Sequence, residues 1–333
     1  MRPSFVKAAM RILLTGASGF LGNNLLRMLL EDGHDVRVTV RANSNRKAFD
    51  GLDVEKIECD LLDTSAIGSA VASVDVVIHS AAMIQIGWSK LEQSRRVNVQ
   101  ATGAIAQSAR LHSARMIYVS TVDTLAAGSE DRIITENDRD PAKSECTYVT
   151  SKREAEVAFA EQVEAGLDGW IVNPGFMIGP WDWKPSSGQM LLAVNKFWTP
   201  LAPSGGCSVV DVRDVACGII SSIENGKRGE NYILAGENLT YFDLWARMGR
   251  LTGSRGPVSK LPGWIDFVAG KFGDLRTRVT GVEPQVNSAA TQMGSLFHWY
   301  SSHKAIERLG YNVGSVDDAI ADAWEWFKKY GYA

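Results

Sequence analysis

The first half of the chain alternates between short apolar runs and longer segments in which apolar residues recur with helical spacing. The runs that predict buried strands are Arg11–Thr15, Val36–Val40, Val54–Glu58, Val74–His79, Met116–Ser120 and Gly169–Asn173. The segments that predict helices between them are Phe20–Glu31, Lys90–His112 and Tyr148–Glu164. Continuous apolar strands are typical of a parallel sheet that is covered on both faces. Because they alternate with helices, we predict an α/β fold with a doubly wound parallel sheet.

The pattern changes after residue 173. The segment 174–206 is rich in Pro, Gly and Trp and has no clean period, whereas Asp211–Glu224 again has the spacing of a helix. From about 229, short helical segments alternate with turns until an amphipathic helix at Val316–Tyr330. We expect one domain built from residues 10–173 with about 207–228, and a smaller C-terminal lobe built from 174–206 and 229–333. Residues 1–9 precede the first strand and are expected to form a disordered leader.

Composition narrows the class of protein. Hydrophobic residues make up 45% and charged residues 22% of the chain, and the net charge is -3. These are the values of an ordinary soluble protein, with no reason to expect nucleic acid or an anionic membrane as partner. No run approaches the roughly 20 apolar residues of a membrane span. The four cysteines are scattered, without the spacing of a metal site, so we expect reduced thiols, no bound metal and a cytoplasmic location.

A glycine-rich segment, Thr15–Gly22 (TGASGFLG), joins the first predicted strand to the first predicted helix. Gly16 permits a tight turn, Gly19 lets the backbone approach a pyrophosphate, and Gly22 allows close packing of helix on strand. The N-terminus of the helix offers unpaired N–H groups and a dipole that favours an anion. This context predicts a Rossmann-type dinucleotide site. Its candidate contacts are Gly16, Ser18, Gly19, Phe20, Leu21 and Gly22.

The end of the second strand discriminates between the two nicotinamide dinucleotides. NAD-specific folds place a carboxylate there for the ribose 2′-hydroxyl, whereas NADP-specific folds offer a cation to the 2′-phosphate. Here Val36–Val40 runs into Arg41, and no acidic residue takes that position. Because a guanidinium binds phosphate through two parallel hydrogen bonds, we predict NADP(H), with NAD(H) as the alternative. The other interpretation of Arg41 is a solvated loop arginine.

Tyr148 and Lys152 lie four residues apart in a predicted helix and therefore on one face of it. A free tyrosine, with a pKa of about 10, exchanges protons poorly at neutral pH, but a nearby ammonium group stabilises its phenolate. The pair predicts an acid–base tyrosine assisted by a lysine. Ser120 and Thr121 close a strand where a parallel sheet presents ligands, and such a hydroxyl would complete the group, although strand-end hydroxyls also cap backbone groups.

Four further features of the sequence have two interpretations each. Asp60, at the end of the third strand, either accepts a hydrogen bond from adenine or caps the following helix. His79 closes the fourth strand and is predicted to be structural, while the small residues after it leave room for a dinucleotide. Trp88, Trp181, Trp183 and Trp198 either line an apolar pocket or belong to the core. Arg247, Arg250 and Arg276 either serve a diphosphate or lie on solvated helix faces.

Taken in order, the segments TGASGFLG, HSAA, VNVQATG, YVST, YVTSK and NPGFMIGP resemble the extended short-chain dehydrogenase/reductase superfamily, also known as the NAD-dependent epimerase/dehydratase family. The resemblance extends from Met10 to the C-terminal helix. Within the superfamily the chain looks most like the dihydroflavonol-4-reductase-like branch, because the run VTVR ending at Arg41 matches the NADP-binding arginine of the plant reductases. The chain departs from many relatives at Thr121, where they have serine, and this leaves the substrate open.

The resemblance implies Tyr148 as the proton donor and Lys152 as the residue that lowers its pKa and holds the nicotinamide ribose. Thr121 would orient the substrate oxygen, with Ser120 beside it. Asn98 would kink a helix or relay a proton. The implied cofactor contacts are Asp60 and Leu61 at adenine, Ala81 along the dinucleotide, and the backbone around Pro174, Met177 and Ile178 at the nicotinamide amide.

These features predict an enzyme: an NADP(H)-dependent oxidoreductase that transfers a hydride between nicotinamide and a carbonyl or secondary alcohol of a small, partly apolar substrate. The alternative is an NAD(P)-dependent sugar-nucleotide epimerase or dehydratase, against which Arg41 argues. A non-enzymatic dinucleotide sensor is a minor alternative, disfavoured by the joint presence of Thr121, Tyr148 and Lys152. A homodimer through the two long helices is expected from the superfamily, although some reductases of this branch are monomers.

Overall fold

The computed structural model of the protein describes residues 9–42, 44–140 and 146–333, so that all of the predicted leader except Ala9 lies outside the described residues. The strands are β1 Arg11–Thr15, β2 Asp35–Val40, β3 Glu55–Glu58, β4 Val76–His79, β5 Arg115–Val119, β6 Gly169–Pro174, β7 Phe176–Ile178, β8 Leu201–Ala202, β9 Gly206–Asp211, β10 Asn231–Leu234, β11 Glu237–Thr240, β12 Ser259–Lys260 and β13 Phe297–His298. The helices are α1 Phe20–Glu31, α2 Thr64–Val71, α3 Leu91–Ser94, α4 Ala101–Leu111, α5 Thr147–Glu164, α6 Gly188–Lys196, α7 Val212–Asn225, α8 Tyr241–Thr252, α9 Gly263–Thr280, α10 Ser288–Ser295, α11 His303–Leu309 and α12 Val316–Lys329.

The main sheet has seven strands in the order β10-β6-β5-β4-β1-β2-β3. Every neighbouring pair in it is parallel. The chain leaves β1 toward β2 and β3, then returns across β1 to β4 and moves outward in the opposite direction. The strand order therefore reverses between β1 and β4, and a ligand site is expected at the carboxyl ends of these two strands. The predicted α/β class with a doubly wound parallel sheet is confirmed.

Helices cover both faces of this sheet, which explains why its strands are apolar without alternation. In β1, Ile12 and Leu14 pack in a core with α1 and α7, whereas Leu13 packs on the opposite face with residues of α2, α4 and α5. All three side chains are at most 1% exposed. A strand buried on both faces has no polar face for solvent, so the continuous run Arg11–Thr15 predicts it correctly.

A second, smaller sheet has the order β11-β9-β13, with β7 also paired to β9. Its core is formed with α6, α8 and α12 and includes Ile178, Leu191, Leu244, Ile320 and Phe327. The chain enters this part directly from the main sheet, because only Gly175 separates β6 from β7. The segment from 174 onward thus places the second core next to the carboxyl end of β6.

Strand β10 departs from the division of the chain that the sequence suggested. That division assigned residues 229–333 to the smaller lobe, but β10 pairs in parallel with β6 as the last strand of the main sheet. Helix α11 also packs with the α1 and α7 core, through Ala305 and Leu309. The strand has only four residues and follows a turn, so its apolar run (NYIL) is too short to be assigned to either sheet from sequence.

The tryptophans divide between core and surface. Trp181 and Trp183 pack against Trp326 and Tyr330, with ring centroids 4.8–6.2 Å apart, and join the second core. Trp88 and Trp198 are 47% and 58% exposed. Thus two of the four candidates for a pocket lining serve as core. Among the described helices, none is both long and apolar enough to cross a membrane.

Candidate active site

The glycine-rich segment forms a tight turn between β1 and α1. Gly16 has a φ of +75°, and a Cβ atom there would lie 2.7 Å from the Ala81 nitrogen. Gly19 N–H donates to the Gly16 carbonyl oxygen at 2.8 Å. A Cβ atom at Gly22 would lie only 2.1 Å from the same oxygen. The turn therefore requires glycine at both Gly16 and Gly22, the first for its backbone conformation and both for space.

The N-terminus of α1 has the features of an anion site. The first N–H groups of a helix lack intrahelical partners. Gly19 occupies the N-cap, no described side chain caps the helix there, and its first turn contains no acidic residue. The glycine turn and the N-terminus of α1 together form a cradle that fits a pyrophosphate. The backbone and the positive end of the helix dipole border a space that larger side chains at the glycine positions would fill. Ser18 and Phe20 are half-buried beside it, whereas Leu21 is 5% exposed and packs in the core, so only its backbone can contribute.

A buried chain of hydrogen bonds supports the turn from below. The Thr15 hydroxyl lies 2.7 Å from Nδ1 of His79, and the Thr102 hydroxyl lies 3.1 Å from its Nε2. The Thr102 hydroxyl donates its hydrogen to the Asn98 carbonyl oxygen at 2.5 Å, so it must accept from Nε2–H of His79. Nδ1 of His79 then has no hydrogen and accepts from the Thr15 hydroxyl. Burial and the nearby Lys152 lower the pKa of His79 to about 3, which keeps it neutral. His79 is structural, as predicted: it ties β1 to β4 and α4.

The carboxyl ends of β2 and β3 border a cavity of about 380 Å³. Its cationic lining residues are Arg41, Arg46 and Lys56, and its acidic ones are Asp50 and Glu58. Arg41 itself is exposed, and its N–H donates to the Ser44 hydroxyl at 2.8 Å. The Arg41 side chain is therefore placed at the rim of the cleft that follows β2.

Asp60 and Leu61 follow β3 at the same edge of the sheet. Asp60 is exposed and accepts from the Leu62 N–H at 3.0 Å. Asp63, and not Asp60, caps helix α2, by accepting from the N–H groups of Ser65 and Ala66. The structural alternative for Asp60 is thereby removed, since a different carboxylate performs that role.

Tyr148 lies in the first turn of α5, and its side chain lies beside that of Thr121. Thr121 lies two residues beyond the end of β5, is 7% exposed, and donates to the Asp123 carboxylate at 3.2 Å. Burial and the Asp123 charge raise the pKa of Tyr148 above its ordinary value. The phenol is therefore held protonated, which suits a group that delivers a proton, and the predicted lowering of its pKa by Lys152 is not seen. Asp123 lies 3.1 Å from Nδ1 of His298, a residue of the second sheet that the sequence did not single out.

Lys152 occupies the next turn of α5 and is 2% exposed. Its ammonium group donates to the Val119 carbonyl oxygen at 2.7 Å and lies 4.4 Å from the centroid of the Tyr118 ring. Burial lowers the pKa of Lys152 to about 7, and the carboxylate of Glu156 partly opposes this effect. The cation is thus held beneath the strand end that carries Thr121, on the helix face that carries Tyr148.

Glu156 is a site residue that the sequence analysis missed. It is 7% exposed, and its Oε1 accepts from Ser120 at 2.6 Å, Thr124 at 2.7 Å and Asn173 at 3.1 Å. Arg139 donates to its other oxygen at 2.7 Å. Ser120 is therefore engaged in a structural hydrogen bond to Glu156. The available signal was spacing: positions 148, 152 and 156 share one face of α5.

We predict that Glu156→Leu lowers the free energy of unfolding by about 2–5 kcal/mol, because it leaves several buried donors without their acceptor. Denaturant unfolding monitored by circular dichroism would measure the loss. Glu156→Gln retains one acceptor oxygen and should cost less. Glu161→Leu, at an exposed position of the same helix, is the matched control and should change stability by about 0.5 kcal/mol at most. Equal losses for Glu156→Leu and Glu161→Leu would contradict the role assigned to the network.

The loop after β4 closes the site on another side. Ala81 N–H donates to the Thr15 hydroxyl at 3.3 Å, and the Gln85 carbonyl oxygen accepts from Tyr148 N–H at 3.1 Å. Asn98 is 1% exposed and bonds both backbone groups of Met83, at 2.7 and 2.9 Å. It lies within a π-helical segment, Arg95–Gln100, that interrupts the long helix predicted at 90–112. The irregular turn thus places the Asn98 amide toward the loop.

Pro174 and Met177 lie where the chain passes from the main sheet to the second one. Pro174 ends β6 beside Leu234, and Met177 is in β7 opposite Val210. The Met177 carbonyl oxygen accepts from Ser187 at 2.5 Å. Both residues therefore follow the carboxyl end of the strand that neighbours β5.

The candidate residues thus meet along one edge of the main sheet. Thr15, His79 and Tyr118 are in register at the ends of β1, β4 and β5. The glycine turn follows the first of these strands and Thr121 follows the third, with Ala81 between them. This edge brings together an anion cradle and a hydroxyl–ammonium group, while Arg41 lies farther along it, beyond β2.

Comparison with known proteins identifies the family. The model of the NAD dependent epimerase/dehydratase family matches residues 12–235. A putative dihydroflavonol 4-reductase from Synechocystis sp. is 31% identical over 328 residues, which cover 96% of this chain and 95% of that protein. Sterol demethylase protein B from Methylococcus capsulatus is 29% identical over 332 residues, which cover 97% and 99%.

The fold comparison agrees. The crystal structure of a nucleoside-diphosphate-sugar epimerase from Pseudomonas aeruginosa matches with a TM-score of 0.81 at 23% identity, covering 98% of this chain and 99% of that one. The resemblance inferred from the motifs is confirmed, as is the prediction of an NAD(P)-dependent oxidoreductase. The chain belongs to the NAD dependent epimerase/dehydratase family.

Proposed function

We propose that this protein is an NADP(H)-dependent reductase of the carbonyl group of a small, partly apolar substrate, acting reversibly on the corresponding secondary alcohol. The observation that carries the proposal is the placement of Thr121 beside Tyr148, with the buried Lys152 on the same helix face as Tyr148. This acid–base group lies on the sheet edge that also bears the glycine turn. A regulator that only senses a dinucleotide has no need of it.

In the reductive direction, a bound nicotinamide dinucleotide would supply the hydride. Tyr148 would donate a hydrogen bond to the substrate oxygen and so polarise the carbonyl, and Thr121 would donate a second one by turning its hydroxyl away from Asp123. Tyr148 would then release its proton to that oxygen. Because burial raises the pKa of Tyr148, the proton is present at neutral pH. Lys152, on the same face of α5, would stabilise the phenolate that remains.

The residues present fit a dinucleotide from one end to the other. The backbone of Gly16–Gly22 would hold the pyrophosphate, and Asp60 with Leu61 would border the adenine. Lys152 would hold the nicotinamide ribose. Ala81, and the backbone of Pro174 and Met177, would line the remainder of the site. In the domain division that we propose, the segment after β6 belongs with the substrate-binding lobe and would cover the nicotinamide end.

NADP(H) is favoured over NAD(H) by the cations around the cleft after β2. We predict that Arg41→Ala weakens NADPH binding by about 10–100-fold and leaves NADH binding nearly unchanged, since charge-assisted hydrogen bonds to the 2′-phosphate are lost. Isothermal titration calorimetry with both nucleotides would measure this. Lys47→Ala removes the same charge from an exposed position outside the cleft and serves as the control. An equal loss of affinity for NADPH and NADH would show that Arg41 does not bind the 2′-phosphate.

A sugar-nucleotide epimerase or dehydratase is the second candidate, and the family name includes both activities. The whole-chain relatives support the reductase, since one is named as a putative dihydroflavonol 4-reductase and another as a sterol demethylase protein. One name refers to a dihydroflavonol and the other to a sterol. The test is to incubate the protein with NADPH and a panel of ketones, aldehydes and nucleotide sugars. Net loss of NADPH absorbance supports the reductase, and an isomerised or dehydrated sugar without net loss supports the second candidate.

A further inference from the structure

Helix α9 carries a row of apolar side chains on its outer face. The row consists of Trp264, Val268, Phe272, Leu275 and Val279, at intervals of four, four, three and four residues, which is the spacing of one helical face. Their exposed fractions are 69%, 57%, 71%, 56% and 78%. Because soluble proteins seldom expose a contiguous apolar surface of this extent, the row marks a binding surface.

The opposite face of α9 explains why this row is left outside. Asp266, Gly270 and Gly273 are buried. A Cβ atom at Gly270 would lie 2.8 Å from Cα of Ser288, and one at Gly273 would lie 2.1 Å from the Val286 carbonyl oxygen. The two glycines therefore seat α9 closely on α10 and the turn before it. Helix α9 therefore packs on the rest of the protein through its glycine face, and its apolar face is left exposed.

The exposed charged residues of the segment that contains the row are all basic. The basic residues of the segment 253–287 are Arg255, Lys260, Lys271, Arg276 and Arg278, and all are exposed. Its acidic residues are Asp266, Asp274 and Glu283, and each is buried or half-buried. Asp274 accepts from Ser288 N–H at 3.0 Å, and Glu283 accepts from Ser89 and Gln85. The apolar row is thus bordered by exposed cations, while the anions face inward.

The row continues toward the candidate active site. Ile84, Ile86 and Trp88, on the loop after β4, are 59%, 42% and 47% exposed. Glu283, in the turn after α9, connects this loop to the helix. Its carboxylate accepts from Trp88 N–H at 2.8 Å and from the Gln85 side-chain amide at 2.8 Å. The carbonyl oxygen of the same Gln85 accepts from Tyr148 N–H. Exposed apolar residues therefore lie both on α9 and on the loop that contacts Tyr148, and Glu283 joins the loop to the turn after α9.

We propose that α9 docks this protein on the surface of an anionic phospholipid bilayer, with the apolar row in the headgroup–acyl boundary and the basic residues at the lipid phosphates. Tryptophan, phenylalanine and leucine beside lysine and arginine are the composition of helices that lie in this interface. Anionic lipid is the partner that fits, because the exposed charges of the segment are all positive. The sequence analysis expected no membrane partner because the chain has little net charge and no apolar run long enough to span a bilayer. Neither criterion detects a helix that lies flat on the membrane surface.

Docking in this orientation would present the loop of Ile84, Ile86 and Trp88 to the same lipid surface. A substrate dissolved in the bilayer could then reach Tyr148 along an apolar path without crossing water. This consequence, a membrane-dissolved carbonyl compound as substrate, rests on the reductase function proposed above. The docking itself does not, and it is tested without substrate or dinucleotide.

The test is flotation of the full chain with vesicles of phosphatidylcholine alone or mixed with phosphatidylglycerol. We expect the wild type to float with the anionic vesicles, and to do so less at high salt, because screening weakens the attraction to the basic residues. Phe272→Ser with Leu275→Ser should reduce the bound fraction at least about tenfold. The matched control is Leu111→Ser with Ile306→Ser, at positions 66% and 48% exposed on other helices, and it should float like the wild type.

Three results would overturn the docking. One is no flotation of the wild type with either vesicle. Another is flotation that survives in the α9 variant. The third is a dimer, seen by sedimentation velocity, that dissociates in the α9 variant while no vesicles bind, since the row would then join two copies. Melting curves and NADPH titration of each variant report folding and cofactor binding separately, so failure of docking leaves the reductase proposal standing and the reverse also holds.

Discussion

Tyr148→Phe is expected to lower kcat by about 10²–10⁴-fold, the usual contribution of a general acid. The substitution removes the proton and one hydrogen bond to the substrate oxygen, but it keeps the ring and its packing. Thr121 and Lys152 keep their own partners, Asp123 and the Val119 carbonyl oxygen. Dinucleotide affinity should therefore stay close to that of the wild type, because the pyrophosphate cradle is untouched.

Steady-state kinetics and NADPH titration on the same preparation would measure both quantities. Tyr330→Phe is the matched control, because Tyr330 lies in the aromatic cluster with Trp181 and Trp326, away from the sheet edge that carries the site. It should leave kcat unchanged. Turnover of Tyr148→Phe within a factor of about three of the wild type would refute the assignment of the proton donor.

Gly22→Ala is expected to weaken dinucleotide binding by about 10²-fold or more. The added methyl carbon would lie 2.1 Å from the Gly16 carbonyl oxygen and 2.7 Å from its carbon, so the turn must move by more than 1 Å to reach an ordinary contact of 3.4 Å. A displacement of this size removes the alignment of the N–H groups with the phosphates.

Gly68→Ala is the control for this prediction. Gly68 lies in α2, and a Cβ atom there would meet nothing within 4 Å. Alanine at such a helical position should preserve binding and raise stability slightly. Calorimetric titration with NADPH would compare the variants, and melting temperatures would separate lost binding from lost fold. Tight binding by a folded Gly22→Ala protein would place the pyrophosphate elsewhere.

The sequence predicted those parts of the fold that depend on the residue pattern within a single segment. Strands such as Arg11–Thr15 are apolar throughout because both faces are buried, and the glycine turn follows one of them directly. Tyr148 and Lys152 lie on one helix, so their spacing alone brings them together. The proximity of Thr121 followed from the rule that parallel strands present ligands at their carboxyl ends.

The parts that escaped prediction depend on contacts between distant segments. Glu156 has an ordinary helical position, and its importance comes from donors on β6 and on the segment after β5. His298 meets Asp123 across more than 170 residues of chain. The orientation of α9 is a further case, since an apolar row at helical spacing normally predicts a face toward the core. Only the packing of Gly270 and Gly273 on α10 shows that the row faces outward.

The most direct test of the central claim is isotope transfer. NADPH that carries deuterium at its transferable C4 position would be incubated with the wild-type protein and a reactive ketone or aldehyde from the panel, and the product analysed by NMR. We predict deuterium on the carbinol carbon, in the same amount as the NADPH consumed, and a rate of transfer about 10²–10⁴-fold lower for Tyr148→Phe. An isomerised nucleotide sugar with NADPH unconsumed, or an absence of label in every product of the panel, would contradict the account.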